Sequence, residues 1–99
     1  MAKREVIWSI RAKNDRLKIL EFWIENNKSA LYSRKLNILF KEATNFISEY
    51  PTVGKQTDDK DVRFKIVRDY LMFYEINESA VVILTIFDSR RNPEKLKLE

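Results

Sequence analysis

Apolar and polar positions change their period several times along the chain, and each change marks an element. Val6, Trp8 and Ile10 alternate with Glu5, Ile7 and Ser9, the two-residue period of a short strand. From Lys13 to Asn26 the spacing lengthens. Leu17, Leu20 and Ile24, with Trp23 beside them, recur at three- and four-residue intervals and predict the inner face of an amphipathic helix. The stretch "ENNKS" interrupts it and offers Asn27 or Ser29 as an N-cap for a second helix. Residues 30–50 then carry Tyr32, Leu36, Leu39, Phe40, Ala43, Phe46, Ile47 and Tyr50 on one helical stripe. Arg34, Lys35, Lys41, Glu42 and Glu49 fall outside it, and Pro51 and Gly54 stop the helix. Two helices joined by so short a break predict an antiparallel hairpin.

"YPTVGKQTDDKD" reads as the one real loop. Three strands come after it, at about 61–67, 70–76 and 80–88, separated by "RD" and "NES", connections short enough for tight hairpins. "AVVILTIF" is apolar on both faces, as a central strand should be. The order predicts an α+β domain spanning 1–99: an N-terminal strand, a two-helix antiparallel hairpin, then a three-stranded antiparallel meander, with the helices on one face of the sheet. The first strand must join that sheet, because alone its backbone groups would go unpaired. The polar tail from about residue 92 is expected to fray, or to start a short helix after Pro93.

Composition narrows the chemistry. Ninety-nine residues suffice for one modest core, and an apolar fraction of 44% with a single glycine and two prolines is that of an ordinary globular chain. Without histidine or cysteine, zinc sites of the usual kind and Ser-His or Cys-His catalysis are excluded. No stretch has the length of a membrane span, and the N-terminus lacks the apolar run of a signal peptide, so the expected location is the cytoplasm. A net charge of +4 favours anionic partners only weakly. Residues 58–99 hold eight basic and nine acidic side chains, so an anion site there has to come from local placement.

Helices can cover only one sheet face, which makes the other the place to look for function. Tyr70, Met72, Tyr74 and Ile76 share one face of their strand, and Leu71, Phe73 and Glu75 the other; neither face is free of apolar groups. An apolar face left open on a small domain predicts a partner that covers it. Arg63 and Lys65 share a strand face, Arg68 sits at the next turn, and Arg90 and Arg91 lie just past the last strand. If these strands are neighbours, the five converge along one edge of the uncovered face, and arginine forks suit phosphate oxygens. The plainer alternative is pairing with Asp61, Asp69, Glu75 and Asp88. Cleavage of RNA through the 2′-OH would need a base and an acid drawn from Lys65, Tyr70, Tyr74, Glu75 or Asp88, with arginines stabilising charge. "DDKD" at 58–61 is better read as a solvated acidic loop than as a cation site, and no metal or cofactor is expected.

Taken in order, "VIWSIRAKNDRLKILEFW", "ISEYPTVGK", "VRFKIVRDYLMFYEI" and "VVILTIFDSRRNP" resemble the RelE/ParE superfamily of toxins from bacterial type II toxin–antitoxin systems, over residues 5 to 93 or so. The resemblance implies a small basic toxin with two helices against an antiparallel sheet. It also implies a cognate antitoxin that lays a segment across the sheet face of Tyr70, Met72 and Tyr74, giving a hetero-oligomer. In the ribonuclease branch, Arg63 and Arg90 would stand like the arginines that contact the scissile phosphate of mRNA on the ribosome, with Lys65 and Arg68 beside them. In the ParE branch the target is DNA gyrase, and Arg63, Lys65, Arg68, Arg90 and Arg91 would serve binding. Ribonuclease members often carry a histidine or tyrosine near the last strand. Here Asp88 and "SRRNPEKLKLE" supply neither, which tilts the expectation towards ParE-like inhibition of gyrase over a ribosome-dependent mRNA endoribonuclease. A small RNA-binding domain fits poorly, since the chain lacks the combined aromatic-plus-glycine strand signature of RRM domains and the helix order of double-stranded-RNA-binding domains. An inactivated toxin kept only to pair with its antitoxin is a further alternative.

Overall fold

A computed structural model describes residues 3–91 of the chain. Strand β1 (Glu5–Trp8) leads directly into α1 (Ile10–Asn27), and α2 (Leu31–Glu49) returns antiparallel to it. Four strands complete the chain order: β2 (Lys55–Gln56), β3 (Val62–Val67), β4 (Tyr70–Ile76) and β5 (Ala80–Asp88). They form one sheet with the first strand, in the order β1-β5-β4-β3-β2; β1 runs parallel to β5 and every other pairing is antiparallel. The α+β arrangement expected from the pattern is therefore present, with the meander as β3–β5. The two-residue β2 is an addition: the stretch read as a loop makes a 3-10 turn at Pro51–Val53 and pairs Lys55 with Phe64 and Gln56 with Arg63. The expectations for the tail from about residue 92 lie outside the described residues.

Local chemistry explains the boundaries. Ser9 caps α1, its hydroxyl accepting from the Ala12 N–H and donating to the Leu84 carbonyl, which ties the helix start to β5. Lys28, in the left-handed region at φ 53°, ends α1. Ser29 accepts from the Leu31 N–H, but the N-cap position of α2 belongs to Ala30, which has no side chain able to cap.

The main core lies between the helices and one sheet face. Ala12, Leu36, Phe40, Ala43 and Ile47 pack on Val67, Tyr70, Met72, Tyr74, Val81, Ile83 and Ile86. This corrects the sheet-face assignment. Tyr70, Met72 and Tyr74, expected on the open face, are buried beneath the helices, at 3%, 0% and 0% exposure. Burying a ring gains about 2 kcal/mol, an advantage a buried hydroxyl cancels only when it lacks a partner. Both hydroxyls have partners. Tyr70 accepts from Trp23 Nε1 at 2.8 Å, and Tyr74 donates to the Pro51 carbonyl at 2.6 Å.

The opposite face carries Val62, Phe73 and Phe87, flanked by Phe64, Leu71 and Leu84, and no helical residue joins that cluster. The inner face of α1 also differs from expectation. Leu20 and Trp23 do pack inward, but Leu17 and Ile24 point out, at 57% and 42% exposure. In the C-terminal part of the expected α2 stripe, Phe46 and Tyr50 are exposed as well, although Ile47 between them is buried.

The pairing of β4 with β5 slips between Phe73 and Tyr74: Phe73 faces Thr85 while Tyr74 faces Ile83, so Leu84 is the extra residue. The Asp15 carboxylate of α1 covers this irregularity, accepting from the Thr85 hydroxyl and the Ile86 N–H. One carboxylate thereby takes up a backbone donor at the break in the ladder and fixes α1 to β5.

Candidate functional site

The five basic residues do not meet on the open face. Arg63 lies opposite Tyr74 and Lys65 opposite Met72, so both project from the helix-covered side of β3 at its margin. Arg63 Nη1 donates to the carbonyls of Gly54, at 2.8 Å, and Thr52, at 3.2 Å. The same turn is held from within by Tyr74, whose hydroxyl accepts from the Gly54 N–H at 2.9 Å. Part of the Arg63 fork thus clamps the 51–54 turn.

Lys65 and Arg68 border a groove between α2 and β3, with Leu39, Ala43, Phe46 and Ile66 as apolar lining and a volume of about 420 Å³. Lys65 Nζ stands 5.4 Å from the Phe46 ring centroid, within cation–π range. Arg68 occupies the β3–β4 turn at φ 57°, a region that L-residues seldom adopt.

Arg90 and Arg91 sit beyond β5. Arg90 grips Asp88 through both Nε and Nη2, at 2.9 and 2.8 Å, and its backbone N–H adds a third bond to the same carboxylate. Those bonds hold the Asp88 carboxyl below its ordinary range, against a smaller opposing effect of burial. Arg91 borders a second hollow of about 450 Å³ with Asp15, Lys18, Phe22 and Tyr70. The Ser89 N–H bonds to the Asp69 carbonyl at 2.8 Å, so Arg68, Arg90 and Arg91 share one end of the sheet. At about 3.3 Å per residue, Arg63 is roughly 16 Å along β3 from Arg68, too far for both to hold one phosphate.

The tyrosines are not poised as bases. Burial pushes the Tyr74 hydroxyl above the ordinary tyrosine value, with the Gly54 N–H and the Arg63 charge acting against it. Burial likewise raises Tyr70; the Trp23 hydrogen bond opposes this and Asp88 adds to it. Both shifts run opposite to what proton abstraction at neutral pH requires.

Sequence reasoning marked Gly54 only as a helix stop; that its lack of a Cβ lets the turn close on Tyr74 was not legible, and Asp15 was missed altogether. It also placed the open aromatic face on the wrong strand parity. The alternation of Val62, Phe64 and Ile66 could have signalled that face. Gly54 had the weaker signal of being the chain's one glycine.

Comparison with known proteins places this geometry. The family model described as the ParE toxin of type II toxin–antitoxin systems, parDE, matches residues 6–93. A solved structure described as a chromosomal ParDE TA system from P. aeruginosa has the same fold, with a TM-score of 0.74 at 13% identity. That alignment covers 87% of this chain and 96% of the other. A search of curated proteins finds no match. With almost its whole described length inside the matched span, the chain belongs to the ParE toxin family of type II toxin–antitoxin systems.

Proposed function

We propose that this toxin stops growth by binding a protein target, DNA gyrase, rather than by cutting RNA, and that a cognate antitoxin restrains it. The observation that carries this reading is the engagement of the would-be catalytic groups. Arg63 holds backbone carbonyls, Arg90 is locked to Asp88, and Tyr70 and Tyr74 are pushed away from base function. Arg63, Lys65, Arg68, Arg90 and Arg91 then serve as a dispersed cationic surface for target contact. The antitoxin is assigned the open face of Val62, Phe64, Phe73 and Phe87, which takes the place of the face of Tyr70, Met72 and Tyr74. Both contacts belong to the cytoplasm, and no helix among the described residues is long and apolar enough to cross a membrane. Ribosome-dependent mRNA cleavage is the second reading, favoured by the joint placement of Lys65 and Arg68 in one groove.

Induced expression of the chain without its antitoxin, with DNA and protein synthesis followed separately by pulse labelling, tests the choice. Early arrest of DNA synthesis with translation continuing is the expected result. Loss of translation first, abolished by Lys65→Ala with Arg68→Ala in a chain that still folds, would establish the nuclease instead.

A further inference from the structure

The hollow of about 450 Å³ bordered by Arg91 lies where α1 passes the end of β5. β1 accompanies β5 only as far as Ile83, so from Leu84 to Asp88 the outer edge of β5 has no strand beside it among the described residues. α1 runs along that gap instead. Asp15, Lys18, Ile19 and Phe22 follow one another at three-, one- and three-residue steps, which sets them on one helical stripe towards the hollow. Ile19, Phe22 and Ile86 give it apolar walls, and Tyr70, at 3% exposure, forms its floor. Its size is that of sites which take small organic ligands.

The polar groups around the hollow are unequally occupied. Asp15 accepts from the Thr85 hydroxyl and the Ile86 N–H, and Asp88 is held by Arg90. Lys18 and Arg91, both exposed at the mouth, take part in no ion pair among the described residues. The Tyr70 hydroxyl accepts from Trp23 Nε1, yet among those residues nothing accepts its own proton. A buried donor without an acceptor costs free energy, and a ligand oxygen at that point would remove the cost. What the hollow leaves unmet is therefore donors, one at the floor and two cations at the mouth. Phe22 and Tyr70 present rings to an occupant, which suits an aromatic body packed offset or edge-on. Asp15 and Asp88 in the same wall oppose a doubly charged phosphate and leave a single carboxylate as the better match. We propose that this hollow binds a small aromatic carboxylate, its charge beside Lys18 and Arg91 and an acceptor oxygen at its far end meeting the Tyr70 hydroxyl. The site does not depend on whether the toxin strikes gyrase or mRNA.

The test titrates methoxynaphthylacetate into the full chain while the two indole N–H resonances are followed by NMR. Its amide, of the same shape without the charge, is the control. Saturable movement of the Trp23 resonance is expected, because that N–H bonds to Tyr70, with Trp8 on β1 moving far less. The amide should bind about tenfold more weakly, and so should the acid to the Lys18→Gln, Arg91→Gln chain or in raised salt. Tyr70→Phe should abolish the preference for the methoxy acid over plain naphthylacetate. Lys60→Gln, in the loop between β2 and β3, should change nothing. Circular dichroism checks the fold of each variant, and the salt series carries the charge test should the double variant unfold. No saturable movement of Trp23, equal affinity for acid and amide, or indifference to both the double substitution and salt overturns the assignment.

Discussion

Replacing Gly54 by alanine probes the junction where the 51–56 turn meets the core. The glycine has φ −72°, a torsion alanine adopts freely, so the perturbation is one of space. An added Cβ would stand 2.5 Å from the Tyr74 hydroxyl oxygen, 2.7 Å from the Phe64 carbonyl oxygen and 2.9 Å from Tyr74 Cε1. Tyr74 is fully buried under the helices and the Phe64 carbonyl belongs to the sheet backbone, so neither yields easily. Overpacking of this kind costs about 1–3 kcal/mol. Any shift that relieves it also breaks the bond from the Gly54 N–H to Tyr74, worth about 1 kcal/mol more. The expected loss is therefore about 2–4 kcal/mol, a large part of the roughly 5–15 kcal/mol that holds a domain of this size. Urea denaturation followed by the fluorescence of Trp8 and Trp23, which both pack against the core, reads it as a lowered midpoint at unchanged slope. Tyr74→Phe removes the nearest clashing atom but leaves the Phe64 carbonyl. The double variant should therefore be less destabilised than the sum of the single ones, by about 1 kcal/mol. A Gly54→Ala chain within about 0.5 kcal/mol of the parent, or strict additivity in the cycle, refutes the reasoning.

Other contacts yield three further expected outcomes. Asp15→Ala should cost about 1–3 kcal/mol, because it strands the Thr85 hydroxyl and the Ile86 N–H, and amide exchange at Ile86 should quicken more than in β4. Asn37 has a buried Oδ1 without a hydrogen-bond partner, so Asn37→Leu should raise the thermal midpoint, by about 1 kcal/mol in stability; a drop would mean that the amide has a role in packing. Tyr70 and Tyr74 have folded-state values raised above the ordinary 10.0, so the stability they confer is complete below that pH and is lost as pH climbs through the raised values. Stability measured from about pH 9 to about pH 11 should fall less in the Tyr70→Phe, Tyr74→Phe chain than in the parent.

The strands were legible because their periods are local. Residues 70–76 and 80–88 match β4 and β5 as found, and the breaks at "RD" and "NES" are too short for anything but hairpins. Parity was not legible. In β4 both faces are apolar, so alternation alone cannot say whether Tyr70, Met72 and Tyr74 or Leu71 and Phe73 meet the helices. The phenolic oxygens argue for the outer face until their partners are known, and those partners, Trp23 and Pro51, lie 47 and 23 residues away in the chain. In α1, Leu17 and Ile24 compete with Ile19, Leu20 and Trp23 for the inner face, and only the position of the sheet decides. The basic residues were found as types but not as a constellation. Whether Arg63 meets an anion or the Gly54 carbonyl depends on a 3-10 turn and a two-residue strand with little pattern of their own.

The parallel partner of β1 is β5, so the first strand of the sheet is completed by the last. The Ser9 hydroxyl reaches the Leu84 carbonyl across 75 positions, and Arg4 bonds to the Asn77 carbonyl across 73. Closing loops of that length is slow, and the contacts they enable form late. In genetic terms, the position of a nonsense mutation should hardly matter. A stop codon just before residue 80 leaves β1 unpaired, β4 without one of its two partners, and α1 without the anchors of Ser9 and Asp15. It should disarm the toxin as completely as one in the first helix, and cells selected for survival of the unopposed gene should carry truncations spread along its length rather than clustered at its start.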